Sequence, residues 1–391
     1  MSTGRVQLAA VGVQEDFLTG DPDVTYFIKK FNRHTKFALE IFQVPFDQTT
    51  IDFGSSLTLT VPRRGQLIRS IYLKLVIPSL DLGGYIDSIG TAIIDHADLL
   101  IGGKTIERLN GEYIQIYNQV FLGESQQFAL KYLTGQGLTD LNPATNPIEL
   151  MVQLPFYFIR NESLSIPLCA LTRQEVEVRI QLKSLDKLVT NPSCVPQGVL
   201  YASMPIEYVF IGDDEVSLIQ SARIDYVITQ IQCQRDVVPA GINEWNMRME
   251  NVNPVKEMFF VIQDQTANIY DFTNTFTGKD QLDKLEITFN NEIYLSQHIA
   301  DELFLSILQF MNCHTRVPEI YIYNYSFSID PENYLPTGQV NMSRILNKNI
   351  YFWLTDNSGT ARDIRVYSKN YNILRIQNGM SGVIFTDSNF Y

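Results

Sequence analysis

Charge is scarce in this chain. Asp, Glu, Lys and Arg make up 19% of the 391 residues, below the roughly 25% of an average soluble domain. The hydrophobic share is 45%, which excludes a disordered chain. Cysteine is scarcer still. Cys169, Cys194, Cys233 and Cys313 stand apart with no C-x-x-C, so no disulfide framework is expected. The usage suits free, mostly buried thiols in a reducing compartment. Long apolar runs are also missing. Asp95 and Asp98 interrupt the best one, Ile89 to Ile101, well short of the ~20 residues of a membrane span. The N-terminus imitates a signal peptide only faintly, because Gln7 breaks its apolar stretch and Glu15 and Asp16 follow at once. An arm that docks on something is expected there.

Positive charge is outnumbered, with 30 Lys+Arg against 43 Asp+Glu and a net charge of −13. A genome-coating protein needs the opposite balance, so direct genome binding is not expected. Signatures of catalysis are missing as well. No H-E-x-x-H, G-x-S-x-G or Walker pattern occurs, and Thr134-Gly-Gln-Gly137 reads as a plain turn. Of the four histidines, His34 and His314 each precede Thr near strand ends and read as structural or surface residues. Asp213-Asp214-Glu215 lacks the spaced oxygen ligands of a metal site and reads as a solvated linker that starts a helix. No catalytic residue, cofactor or metal is expected.

Aromatics are plentiful, at 12%, and period-two alternation dominates. Glu175 to Leu182 alternates polar and apolar residues strictly, the mark of a half-buried strand. Leu67 to Ile77 places Leu67, Ile71, Leu73, Leu75 and Ile77 on one face. Ser56–Val61, Ile206–Ile211 and Ile364–Tyr367 read the same way. Helical periodicity is brief: Tyr113 to Leu122, and Ala300 to Phe310 with a stripe of Leu303, Ile307 and Phe310.

Those two helices follow matching hairpins. Leu99–Glu107 turns at Gly102-Gly103 and Ile287–Leu295 turns at Asn290-Asn291, an offset of 188 residues. Both dipeptides accept the positive φ of a two-residue turn. Leu73–Ile77 matches Met258–Ile262 at an offset of 185, and Phe156–Ile159 matches Tyr325–Ser328 near 169. The shortfall places an extra, turn-rich stretch between Leu122 and Ile148. One β module used twice is the reading, as a sandwich or jelly roll.

The residues then become recognisable. Leu18-Thr-Gly-Asp-Pro-Asp-Val-Thr-Tyr-Phe27 with Arg33-His-Thr-Lys-Phe37 resembles the N-terminal signature of the major capsid proteins of nucleocytoplasmic large DNA viruses. Tyr85–Gly90, Ile101–Gly103, Gly111-Glu-Tyr113, Leu154–Phe158, Asn161 and Ile166–Leu171 continue the likeness through the first half. Asn253–Glu257, His314–Glu319, Tyr325–Phe327, Pro336–Gly338, Asn341–Ile345, Asn370–Ile376 and Gly379-Met380 carry it through the second. The resemblance implies an all-β double jelly roll of two eight-stranded sandwiches with a few short helices. The expected division is an arm at 1–24, jelly rolls at 25–212 and 224–391, and a linker at 213–223.

It further implies a non-enzymatic virion protein whose three copies make a pseudo-hexagonal capsomer of an icosahedral shell, assembled in the host cytoplasm. Its partners would be itself, neighbouring capsomers, minor capsid proteins and the internal membrane. A minor capsid paralogue is the alternative within that class, and a carbohydrate-binding β-sandwich the alternative outside it. Lys29, Lys30, Arg33 and Lys36 cluster among Tyr26, Phe27, Phe31 and Phe37. They read either as an amphipathic strand with a charged face or as base contacts at the capsid's inner side. Arg63-Arg64 joins that surface or is simply exposed. The sequons at Asn161, Asn324 and Asn341 fall in strand-edge segments, where structural asparagines are expected over glycan carriers.

Overall fold

The alternating runs become strands in a computed structural model that describes residues 2–48, 50–137, 147–356 and 359–385. The chain divides into two compact units, Met1–Lys36 and Phe37–Tyr391. The first carries two seven-residue helices, α1 (Thr3–Ala9) and α2 (Val13–Thr19), neither with a buried residue.

In the second unit, sixteen principal strands make two sandwiches. The first uses β1 (Phe37–Pro45), β2 (Ser56–Thr60), β3 (Leu67–Ile77), β4 (Ile94–Ile101), β5 (Lys104–Asn110), β6 (Ile148–Gln153), β7 (Val176–Leu182) and β8 (Tyr201–Ile211). Its sheets run β1-β8-β3-β6 and β2-β7-β4-β5, antiparallel throughout. The second uses β9 (Ile224–Val238), β10 (Glu244–Arg248), β11 (Pro254–Asp264), β12 (Leu282–Phe289), β13 (Glu292–Leu295), β14 (Tyr323–Ser326), β15 (Lys348–Leu354) and β16 (Arg362–Gln377). Its sheets run β9-β16-β11-β14 and β10-β15-β12-β13, the same order with every number raised by eight. This is a jelly roll made twice.

The repeat is registered to the residue at the hairpins. Leu99 pairs with Glu107 and Leu100 with Thr105, which leaves Ile106 as an extra, bulged residue. Ile287 pairs with Leu295 and Thr288 with Ile293, which leaves Tyr294 as the bulge. All five positions sit at an offset of 188. The turns use φ of +59° and +77° at Gly102 and Gly103, and +51° and +69° at Asn290 and Asn291, the left-handed geometry that Gly and Asn tolerate best.

Elsewhere the structure corrects the sequence reading. Arg69 is bulged out of β3 opposite β8, which shifts the parity so that Ile68, and not Leu67, enters the core. By register with β3, the counterpart of Tyr325 is Val152, an offset of 173. Phe156–Ile159 instead enters a one-turn helix, Tyr157–Arg160. The segment after Leu122 is less turn-rich than expected, for it holds α4 (Glu124–Thr134) beyond α3 (Gly111–Val120); residues 138–146 lie outside the described residues. The acidic linker forms α5 (Asp213–Ser221), with three carboxylates in its first turn, where the helix dipole favours them.

The helix after the second hairpin is a π-turn, Phe304–Leu308, running into α6 (Gln309–Cys313). A wider turn puts residues five apart on one face. Leu305 and Phe310 are accordingly the buried pair, while Leu303 and Ile307 face solvent. The cysteines are all free, but only Cys194 is buried and the other three are half-buried.

Two cores result. One fills the second sandwich, with Met258, Phe260, Ile262, Leu285 and Phe352. The other fills the first sandwich and continues into the outer face of the β9-β16-β11-β14 sheet through Ile231, Phe259, Val261 and Tyr367. That sheet is therefore buried on both sides. This is why Met258-Phe-Phe-Val-Ile262 reads as an unbroken apolar run, where a half-solvated strand alternates.

Candidate functional site

The family-like motifs converge on the seam between the two sandwiches. Helix α3 lies in it with eight of ten residues buried. Its first residue has to be small, because a Cβ at Gly111 would overlap the backbone carbonyl oxygens of Ile94 and Thr91. Glu112 then accepts hydrogen bonds from Arg365 Nε at 2.8 Å and from the Tyr367 hydroxyl at 3.0 Å. Tyr113 packs its ring 5.9 Å from that of Tyr367. Glu112 and Tyr113 are thus contacts of one module with the other, and Gly111 seats the helix that carries them.

Beside it, Glu107 is fully buried. It accepts from the Tyr157 backbone N–H at 2.7 Å and pairs with Arg160. Arg160 also donates to the Thr229 carbonyl at 2.8 Å, so one guanidinium ties both modules. The amide of Gln230 donates to the carbonyl of the bulged Ile106, and the Tyr226 hydroxyl to the carbonyl of Ser165 at 3.5 Å.

A second buried cluster closes the seam. Lys369 Nζ donates to Glu257 at 2.8 Å and stands 4.4 Å from the centroid of the Phe121 ring. His314 has no exposed side-chain surface. It lies 3.1 Å from Glu257 and 3.4 Å from Glu332, among the rings of Phe121, Phe259 and Phe310 at 5.3, 5.8 and 5.3 Å. Burial alone would raise the Glu257 pKa, but Lys369 and His314 outweigh it and hold it at about 2. Burial lowers His314, and Glu257 with Glu332 more than reverses that. A buried carboxylate that stays charged between two cations is a structural anchor, since neither cation can leave without stranding it.

On one side of the seam lies a polar cleft of about 1140 Å³, whose walls include Asp95, Arg108, Lys183, Arg235, Asp363 and Arg365. Two of its cations are matched within it, Arg235 to Asp363 at 2.5 Å and Arg365 to Glu112 at 2.8 Å, and Arg108 pairs with Asp98 at 2.7 Å. Among the described residues, no group of three or more His, Cys, Asp or Glu is placed to hold a metal.

Lys29, Lys30, Arg33 and Lys36 belong to the first compact unit. They are exposed, and residues 29–36 form neither helix nor strand, so the amphipathic strand expected there is replaced by irregular chain; β1 starts at Phe37. Arg63 and Arg64 are exposed, and the Arg63 guanidinium donates to the carbonyls of Leu168, Leu171 and Gln174. Arg64 lies over the ring of Phe42. The sequon asparagines have structural partners: Asn161 and Asn341 accept from the backbone N–H groups of Ser163 and Ser343, and buried Asn324 donates to the Met258 carbonyl.

Sequence reasoning found Gly111-Glu-Tyr113 and His314 without a reason for them, and it passed over Glu107, Arg160 and Lys369. The available signal was a charge inside an otherwise apolar strand, as at Lys256-Glu257 before Met258.

Residues 25–211 match the family described as major capsid protein N-terminus, and residues 215–382 match the large eukaryotic DNA virus major capsid protein family. The major capsid protein of Pyramimonas orientalis virus is 26% identical over 99% of this chain and 100% of its own. That of Phaeocystis pouchetii virus is 24% identical over the same shares. Among solved structures, a chain of the quasi-atomic PBCV-1 virus capsid superimposes with a TM-score of 0.83 at 21% identity, over 93% of this chain and 100% of that one. The Faustovirus major capsid protein gives 0.76 at 10% identity, over 94% of each.

Proposed function

This chain belongs to the major capsid protein family of large eukaryotic DNA viruses and is a structural subunit of such a capsid, and we propose that three copies close into a ring that tiles the shell as a pseudo-hexagonal capsomer. The carrying observation is the duplication, registered down to a shared bulge at Ile106 and Tyr294. Two like modules per chain supply six like wedges when three chains meet. The contact between chains is then heterologous, and closure limits its number.

The buried seam gives each subunit the rigidity such a tile needs, and its chemistry is mechanical: the charged groups at its centre neutralise one another. Catalysis forms no part of the role. The working division is an arm at 1–24, jelly rolls at 25–212 and 224–391, and a linker at 213–223. The exposed cations Lys29, Lys30, Arg33 and Lys36 serve the inner side of the shell, toward minor capsid proteins or the internal membrane, and assembly takes place in the host cytoplasm.

Light scattering on the purified protein tests the ring. Three chains of 44.7 kDa give about 134 kDa, and an interface on the order of 2,000 Å² would hold on dilution. A stable monomer or two-fold dimer would remove the proposal.

A further inference from the structure

The first compact unit, Met1–Lys36, has no inside: every residue from 2 to 36 is exposed. Its side chains are nevertheless often apolar. Val6 and Leu8 on α1, and Val13, Phe17 and Leu18 on α2, are each more than half exposed. Further along, Tyr26 and Phe27 are 96% exposed, and Ile28 and Phe31 are 68% and 82% exposed. Apolar surface of this extent with no core beneath it marks a contact.

Charge in the unit is sorted by position. Glu15, Asp16, Asp21 and Asp23 come first, and Lys29, Lys30, Arg33 and Lys36 follow. From Val24 to Leu39 the sequence holds those four cations and no carboxylate, in a chain whose net charge is −13. Rings and cations are interleaved there, and residues 29–36 form neither helix nor strand. No regular face separates them, so both kinds of group can settle at one level.

The sign of the charge calls for an anionic partner, and the apolar side chains choose which one. A nucleic acid would stack its bases on the rings. Ile28 and the aliphatic side chains of α1 and α2 gain nothing from a base or a phosphate. A bilayer with anionic headgroups suits both kinds of group. Basic residues gather at its charged surface, and apolar side chains enter the boundary between headgroups and acyl chains.

We infer that the arm is a lipid-binding segment: Lys29, Lys30, Arg33 and Lys36 pair with anionic headgroups while Tyr26, Phe27, Ile28 and Phe31 enter the acyl boundary beside them. The two signals act together, since either alone gives only marginal attachment. The inference rests on the inner-side role proposed above for these four cations and gives that role its chemistry.

Co-sedimentation of the full-length protein with vesicles tests it, using phosphatidylcholine alone and phosphatidylcholine mixed with phosphatidylserine. Binding should require phosphatidylserine and weaken as salt is raised. Lys29→Ala/Lys30→Ala should weaken it at least about 25-fold, at roughly fivefold for each basic residue. Lys104→Ala/Lys131→Ala removes the same charge from exposed positions of the second unit and should bind as the parent does. Melting curves check that each exposed substitution leaves the fold intact. A Phe27→Trp variant should gain blue-shifted emission with the mixed vesicles only, above the signal of Trp245 and Trp353.

A protein of about 134 kDa that ignores both vesicles would overturn the lipid and leave the ring standing. Preference for a single-stranded oligonucleotide over the mixed vesicles would overturn it in favour of nucleic acid. Equal losses in the two lysine pairs would reduce binding to net charge and overturn the arm as its seat. Binding without the Trp shift would overturn the entry of the rings. A monomer of about 45 kDa that still binds the mixed vesicles would support the lipid and overturn the ring.

Discussion

Phe259 and Phe260 are neighbours in the chain and belong to different hydrophobic cores. Phe259 points into the seam, with ring centroids 6.2 Å from Phe121, and Phe260 points into the second sandwich, 6.1 Å from Phe352. Truncating either to Ala removes a fully buried ring at about 3–5 kcal/mol, but the two losses should look different. Phe260→Ala should lower the midpoint of second-module unfolding, followed by Trp fluorescence at Trp245 and Trp353. Phe259→Ala should increase hydrogen exchange on both sides of the seam, in α3 and in β11. Identical exchange maps for the two variants would show that the cores are not separate in energy.

The Glu257–Lys369 pair invites a test of what a buried ion pair contributes. Glu257→Gln leaves Lys369 buried without its counter-charge and should cost about 3–5 kcal/mol in urea unfolding. Glu257→Leu with Lys369→Met removes both charges together and should recover most of that loss. If the double variant is no better than the single one, His314 and Phe121 hold the cluster by themselves.

Gly111→Ala should destabilise, against the sign that helix propensity gives. Ala gains about 1 kcal/mol over Gly in a helix. Here, however, the added methyl meets carbonyl oxygens of Ile94 and Thr91, and backbone cannot swing aside as a side chain can. Overpacking of this kind costs about 1–3 kcal/mol or more. A melting temperature equal to or above the parent's would refute the close approach.

Glu302 stands with Asp280 and Asp301 near the start of the second-module helix. Partial burial, then a hydrogen bond with Asp280 and the negative charge of Asp280 and Asp301, raise its pKa to about 7. A carboxyl raised above its unfolded value of 4.5 adds stability below that pH and loses it as pH rises toward 7. Glu302→Gln should therefore match the parent near pH 4.5 and melt higher than the parent at pH 8. A constant difference across that range would mean that the three carboxylates do not repel one another.

Most of the strands could be read directly, because a strand with one wet face must alternate. Legibility failed where one residue was added to a strand or a turn. The Arg69 bulge exchanged Leu67 for Ile68, and the π-turn exchanged Leu303 and Ile307 for Leu305. Both changes shift a period by one residue, which a pattern of spacing cannot detect. The seam was legible only as motifs. Glu107 and Arg160 are 53 residues apart in sequence, Glu257 and Lys369 are 112 apart, and nothing local announces that they pair.

The continuous core at the seam also sets a timetable. Synthesis delivers the first jelly roll complete at Ile211, but its outer wall includes Leu374 and Ile376, which emerge more than 160 residues later. At ribosomal speeds of about 5–20 residues per second, roughly 10–30 s separate the two events. During that interval α3, Phe121 and Ile106 have no second sheet to cover them. A chain ended at Gly212 should therefore bind a hydrophobic dye that the full-length protein ignores, and should draw chaperones during translation until the last strand arrives; a dye-silent fragment would show that the first module closes its own wall.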